Sequence, residues 1–332
     1  MRALRLLIVM SLGLAAHSAI AQPAPRTIAA DSGSGWTHKL TKLSLPPTAA
    51  GLTRNEILDL TAEELDLAAT YADPAGDLVT TIYVYQPGVQ DVAIWFDRAT
   101  WAIQASPQYG LGGIALPAPT AFAPPRTGAA GGLRLALDLP GTELKSTAVA
   151  IAPIGAWLVK VRMSSRKLDK AALDSRLDSL LAALGWPAES GTARAAVAIL
   201  PCPTPLKTKQ AKIVRDDMAA VLINAVSFSM QREGPPPLYC REPGLPPEFG
   251  VYRANGDKDS YVVTLNDAGA ALSVGPSLGG LLGGNSRKTY SLSRLDHGSA
   301  AVLPSFNRLP PPAQAVSVAQ GSAPMISATP PR

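Results

Sequence analysis

The chain is poor in the residues that most often do chemistry. Among 332 residues there are 3 histidines and 2 cysteines. Histidine is the commonest general base, so acid–base catalysis near neutral pH has few carriers here. Two cysteines far from any histidine make a weak metal-ligand set, so no metal and no cofactor is expected. The G-x-S-x-G string at Gly275 to Gly279 opens a Gly-rich loop between two strands, whereas a hydrolase elbow joins a strand to a helix. Beyond the N-terminal stretch no run of about 20 apolar residues occurs, so no membrane span is expected in the mature chain. Charged residues make up only 17% of the chain, and the formal net charge is +5. The densest positive group, Lys207, Lys209, Lys212 and Arg215, is followed at once by Asp216 and Asp217. That pattern is a solvated face and argues against nucleic acid as a partner.

What the chain has in quantity is apolar residues, proline and glycine. Hydrophobic residues reach 47%, much of it alanine, with 31 prolines and 28 glycines in clusters. The length allows two domains with a sizeable core, joined and flanked by long loops.

The N-terminus reads as an export signal over residues 1–21. Arg2 and Arg5 form a short positive region, Leu6 to Ala16 the apolar stretch, and Ala19-Ile20-Ala21 the small-residue cleavage motif. Cleavage is expected between Ala21 and Gln22, which lowers the net charge from +5 to +3 as Arg2 and Arg5 leave. A periplasmic or secreted location follows. In an oxidising compartment Cys202 and Cys240 are expected to pair as a disulfide.

Hydrophobic periodicity lays out the rest. Residues 22–35 are Pro-, Ala- and Ser-rich and read as a flexible leader. Leu65 to Tyr71 and Leu78 to Tyr85 form a hairpin around Asp73-Pro74-Ala75-Gly76-Asp77. Asp91 caps a helix carrying Val92, Trp95, Phe96, Ala99 and Ile103. Ser106 to Gly132 is a long loop, and Leu133 to Leu139 resumes strand alternation. Thr147 to Ile151 and Ala156 to Ser164 form a second hairpin. Trp157, Val159, Val161 and Met163 share one face, and Leu158, Lys160 and Arg162 the other. A helix from Asp169 stripes Leu173, Leu177, Leu180, Leu181 and Leu184 and stops at Gly185-Trp186-Pro187. The two halves share an element order without a residue-level repeat.

Residues 188–205 form a linker containing Pro201-Cys202-Pro203-Thr204-Pro205. Met218 to Met230 is apolar without a clean period, and its Met218 to Ala225 part reads as helix. From Leu238 onward the pattern is a β meander, with turns at Asn255-Gly256, Asn266 to Gly269 and Asp296-His297-Gly298. Residues 310–332 read as a disordered tail. The expected fold is α+β: an N-terminal antiparallel sheet with two packing helices (36–187), then a mainly β meander domain with one disulfide (206–309). The strand–helix order of residues 36–187 is similar to that of PsbP-like domains, a likeness of element order that implies a fold and no function.

Each chemical motif has a plainer counterpart. Ser164-Ser165-Arg166-Lys167 contains S-x-x-K, but S-D-N and K-T-G are missing, which leaves a polar strand–helix corner. Asp296, His297 and Ser299 crowd one turn, whereas a triad gathers residues from distant parts of a chain. Gly279 to Gly284 lacks the Lys-Ser/Thr of a phosphate loop. Glu63-Glu64 and Asp216-Asp217 are adjacent pairs whose side chains diverge. Trp95, Trp101 and Trp157 read as core. The function expected is therefore that of an exported, non-enzymatic binding or accessory protein with an envelope partner. Binding of a small apolar ligand between the first sheet and its helices is the alternative, and a serine hydrolase using Ser164-Lys167 or Ser299-His297 the third.

Overall fold

A computed structural model describes residues 24–31, 33–188, 194–214, 221–223, 237–243, 249–278 and 288–328. The expected signal peptide and cleavage site, Asp216-Asp217 and Gly279 to Gly284 lie outside the described residues, as does most of Met218 to Met230. Residues 221–223 of that last stretch are helical. The fold is mainly β with few helices, and its strands form two nine-stranded sheets and one two-stranded ribbon.

The first sheet is two three-strand meanders joined back to back. β1 (Leu52–Asp59), β2 (Asp66–Ala72) and β3 (Leu78–Tyr85) lead to helix α1 (Val92–Ala105). β4 (Gly132–Asp138), β5 (Ser146–Ile154) and β6 (Trp157–Ser165) lead to helix α2 (Lys170–Ala183). The spatial order β1-β2-β3-β6-β5-β4 is a palindrome, with β3 and β6 antiparallel at its centre from Leu78↔Ser165 to Tyr85↔Leu158. The shared element order of the two halves is thus a shared topology.

Alternation along β5 and β6 divides the core in two. Ala148, Ala150, Val159, Val161 and Met163 face α2, whose Leu173, Leu177, Leu180 and Leu181 close over them. Val149, Ile151 and Leu158 face α1 and its Ile94, Trp95, Ala99 and Ile103. The helices therefore cover opposite faces. Each starts where an aspartate accepts a backbone N–H at 2.9 Å, Asp91 from Ile94 and Asp169 from Ala172. Just past the end of α2, Gly185 exchanges two 2.9 Å backbone hydrogen bonds with Ser44. A Cβ at Gly185 would lie 2.6 Å from that of Ser44, so only glycine permits this closure.

The second sheet is a meander: β7 (Tyr239–Arg241), β8 (Gly250–Ala254), β9 (Tyr261–Thr264), β10 (Ala271–Pro276), β11 (Tyr290–Asp296) and β12 (Ser299–Phe306). Helix α3 (Pro312–Gly321) lays Ala315 and Ala319 on a core of Val263, Leu272, Val274 and Leu292. Cys202 and Cys240 are disulfide-bonded, with Cα atoms 4.8 Å apart.

Four expectations are corrected. The leader is not flexible over its described part. Arg26–Thr27 pairs with the end of β1, and Arg26 reaches Asp59 at 3.1 Å, because that outer strand has backbone groups to satisfy. The tail is ordered over its described part: it supplies α3 and then Ile326–Ala328, which pairs with β12. Its alanines bury little area each, but the sheet offers them a ready apolar face. The linker is part strand, since Leu200–Pro201 runs parallel to β7. The long loop contains Thr120–Phe122, an edge strand on β4.

Candidate functional site

Among the described residues, those singled out by motif do not assemble into a catalytic centre. The Ser164 hydroxyl bonds that of Thr147 at 2.9 Å, while Lys167 points to solvent and pairs with Asp77. The Ser299 hydroxyl donates to the Asp296 backbone carbonyl at 2.7 Å, so it does not address His297. His297 Nε2 lies 3.3 Å from an Asp296 carboxylate oxygen. Glu64 contributes backbone rather than carboxylate: its carbonyl receives His38 Nε2 at 3.0 Å. That bond fixes the neutral His38 tautomer with the proton on Nε2 and leaves Nδ1 to accept from Thr41 at 2.8 Å. Burial pulls the His38 pKa down, and the ring lies between Trp36 and Trp157. Trp95 is fully buried and donates to Val89 O, and Trp101 lies under the Arg98 guanidinium. Among the described residues no cluster of three or more His, Cys, Asp or Glu side chains is placed to hold a metal. No described helix is long and apolar enough to cross a membrane.

Two features do assemble, both where the sheets meet. The first is a seam. The turns of the second sheet rest on the α1-bearing face of the first, and Tyr252, Ala271, Leu295 and Ala300 join the same apolar core as Trp95 and Leu158. Backbones approach closely there: Gly88 N–H bonds Gly269 O at 2.8 Å, and a Cβ on Gly88 would lie 2.5 Å from Leu295 O. From α1, Asp97 accepts from Tyr252 and from Arg241, both at 2.8 Å.

Lys160 is the centre of the seam. Its ammonium is buried, donates to Asp267 O at 2.6 Å and to the Asp267 carboxylate at 3.0 Å, and lies 4.4 Å from the Tyr83 ring centre. Burial lowers the Lys160 pKa, and Asp267 opposes that shift. Burial also works on Asp267 in the opposite sense, but Lys160, Arg162 and Arg98 outweigh it and hold this carboxyl below its ordinary range.

The second feature is a groove of about 1060 Å³ at one end of the seam. Its walls are the β5–β6 turn (Pro153 to Trp157), the start of α1, residues 194–203 and the Pro237 to Cys240 stretch. The lining is mainly apolar. Four aliphatic side chains on its rim stay in water: Leu40 is 40% exposed, Val197 52%, Leu200 68% and Leu238 50%. The disulfide ties two of the walls together, because Cys202 follows the strand Leu200–Pro201 and Cys240 lies in β7. Arg253 reinforces that wall. It pairs with Glu242 at 2.6 Å and donates to Thr204 O, both side chains being buried.

Sequence reasoning missed the groove because segments far apart in the chain build it. One usable signal was the apolar Leu200 inside an otherwise linker-like Pro-rich run. The space between the first sheet and its helices, expected as the alternative ligand site, is filled by the side chains of the two cores.

Comparison with protein-family models, curated proteins and solved structures finds no match for this chain.

Proposed function

We propose that this is an exported, non-enzymatic binding protein of the cell envelope, built of two docked domains, that holds an apolar segment of a partner protein in the groove between them. One observation carries this reading: four aliphatic side chains stand exposed around a preformed apolar groove. Isolated exposed leucines are ordinary, but a cluster on the rim of a concavity marks a surface that something else covers. Their exposure favours a macromolecular partner, because a small ligand is normally enclosed by its lining. Export is supported by Ala19-Ile20-Ala21 and by the disulfide, which suits an oxidising compartment. The engagement of Ser164 by Thr147 and of Ser299 by the Asp296 carbonyl weighs against a serine nucleophile.

A small apolar ligand is the second reading, favoured by a volume near the upper end of that for small-molecule sites, about 300–1,000 Å³. Photo-crosslinking in cells separates the two. A photoreactive residue at Leu200 or Leu238 is expected to give the same discrete protein adduct. At Val79, exposed at the far end of β3, it is expected to give none. Adducts missing at both groove positions, together with a bound small molecule in the native mass spectrum, would replace the partner with a ligand.

A further inference from the structure

The seam contains a carboxylate that the groove does not use. Asp66 starts β2 directly across from Tyr85, on the face that the second sheet covers. It is 6% exposed, and its Oδ1 has no hydrogen-bond partner among the described residues. The buried Tyr85 hydroxyl has none either. The charged and titratable groups acting on Asp66 come from every element around it. Lys160 acts from β6, Asp267 from the β9–β10 turn, Asp296 from the end of β11 and Asp59 from β1. Arg162 stands 3.9 Å from Asp267, and His297 stands beside Asp296. Lys160 gives two of its three N–H donors to Asp267, and no hydrogen bond joins it to Asp66 among the described residues.

We propose that the seam is a pH-operated clasp on the groove, closed while Asp66 holds a proton and loosened when Asp66 ionises. Its consequence for binding rests on the groove reading, since the groove takes walls from both sheets. Its chemistry does not. An ionised Asp66 is a buried charge repelled by the carboxylates of Asp267 and Asp296, and the cation that attracts it, Lys160, is shared with Asp267. Opening the seam returns that carboxylate to water.

The direction follows from linkage. Burial, reinforced by Asp296, Asp267 and Asp59 against the pull of Lys160, raises the Asp66 pKa to about 7. In an open seam it reverts toward the ordinary value of about 3.9. Below both values the proton is bound in either state, and the Asp66 contribution to closure is fully present. Between them, opening releases one proton, so the open fraction grows about tenfold per pH unit. Above about 7 the carboxyl is ionised in both states and the open fraction levels off.

Hydrogen exchange on the mature chain, corrected for intrinsic exchange and followed from about pH 5 to about pH 9, tests this. Peptides covering the Asn266 to Gly269 and Asp296 to Gly298 turns should open progressively more up to about pH 7 and then level, while α2 peptides do not follow. Asp66→Asn should remove the slope. Asp296→Asn, which keeps Asp66 and removes a neighbouring charge, should move the levelling point to lower pH. A wild-type profile without slope, or an unchanged slope in Asp66→Asn with an unchanged fold by circular dichroism, overturns the clasp. If Asp66→Asn does not fold, an unmoved levelling point in Asp296→Asn overturns it instead. Because no partner is present, the result is independent of crosslinking. A slope without a groove adduct rejects the groove reading alone, and an adduct without a slope rejects the clasp alone.

Discussion

The two sheets have equal numbers of described strands and are unlike in how they are held. The first is sandwiched by helices, with α2 on one face and α1 on the other, and its central β3–β6 pairing runs unbroken through eight residue pairs. The second packs helix α3 on its own core and shares another core with the first sheet. It also carries the disulfide, which ties its edge strand to β7. The first sheet is held by packing on two faces. The second is held by a covalent staple and by its neighbour.

Cutting the staple should break that contrast most strongly. Replacing both cysteines by serine opens a constraint spanning 38 residues, worth about 4 kcal/mol in the chain-entropy model. The loss should fall on the second sheet: exchange in β7 and β8 should rise sharply in the variant, with α2 and β5 still protected. Equal loosening of both sheets would mean that they unfold as one unit. Leu177→Ala, in the fully buried stripe of α2, should cost about 3 kcal/mol through lost burial and the cavity left behind. Denaturant unfolding measures this, and a loss below about 1 kcal/mol would show that the α2 core is loosely packed. The smallest change is Asp169→Ala, which removes the N-cap of α2 and should cost about 1 kcal/mol by the same measurement. Unchanged stability there would mean that packing alone fixes where this helix begins.

The same contrast explains what could be read from sequence. In the first sheet, strands buried on one or both faces repeat their pattern long enough to be unmistakable: β2, β3, β5, β6 and the leucine stripe of α2 all lie where periodicity puts them. β1 escaped because Thr53, Arg54, Asn55 and Glu56 interrupt its alternation, and a bulge between Arg54 and Glu56 shifts its register. Arg54 looks like a surface residue, yet its buried guanidinium holds the carbonyls of Leu45, Asp31 and Ser34. The ends of the chain escaped because alanine and short paired segments give little signal until a sheet edge exists to receive them. The candidate site was the least legible part. Lys160 was visible as a charge opposite a row of apolar neighbours, but what covers it comes from Asp267, 107 residues away. Contacts of that separation leave no local pattern.

The palindromic order of the first sheet also has a kinetic meaning. Within β1 to β6, four of the five strand junctions are short hairpin connections, each closing a small loop. Only β3 against β6 joins distant residues, as in Leu78 with Ser165. The entropy of bringing remote chain together is therefore concentrated at one junction, at the middle of the sheet. Each meander can form by local contacts before that junction closes.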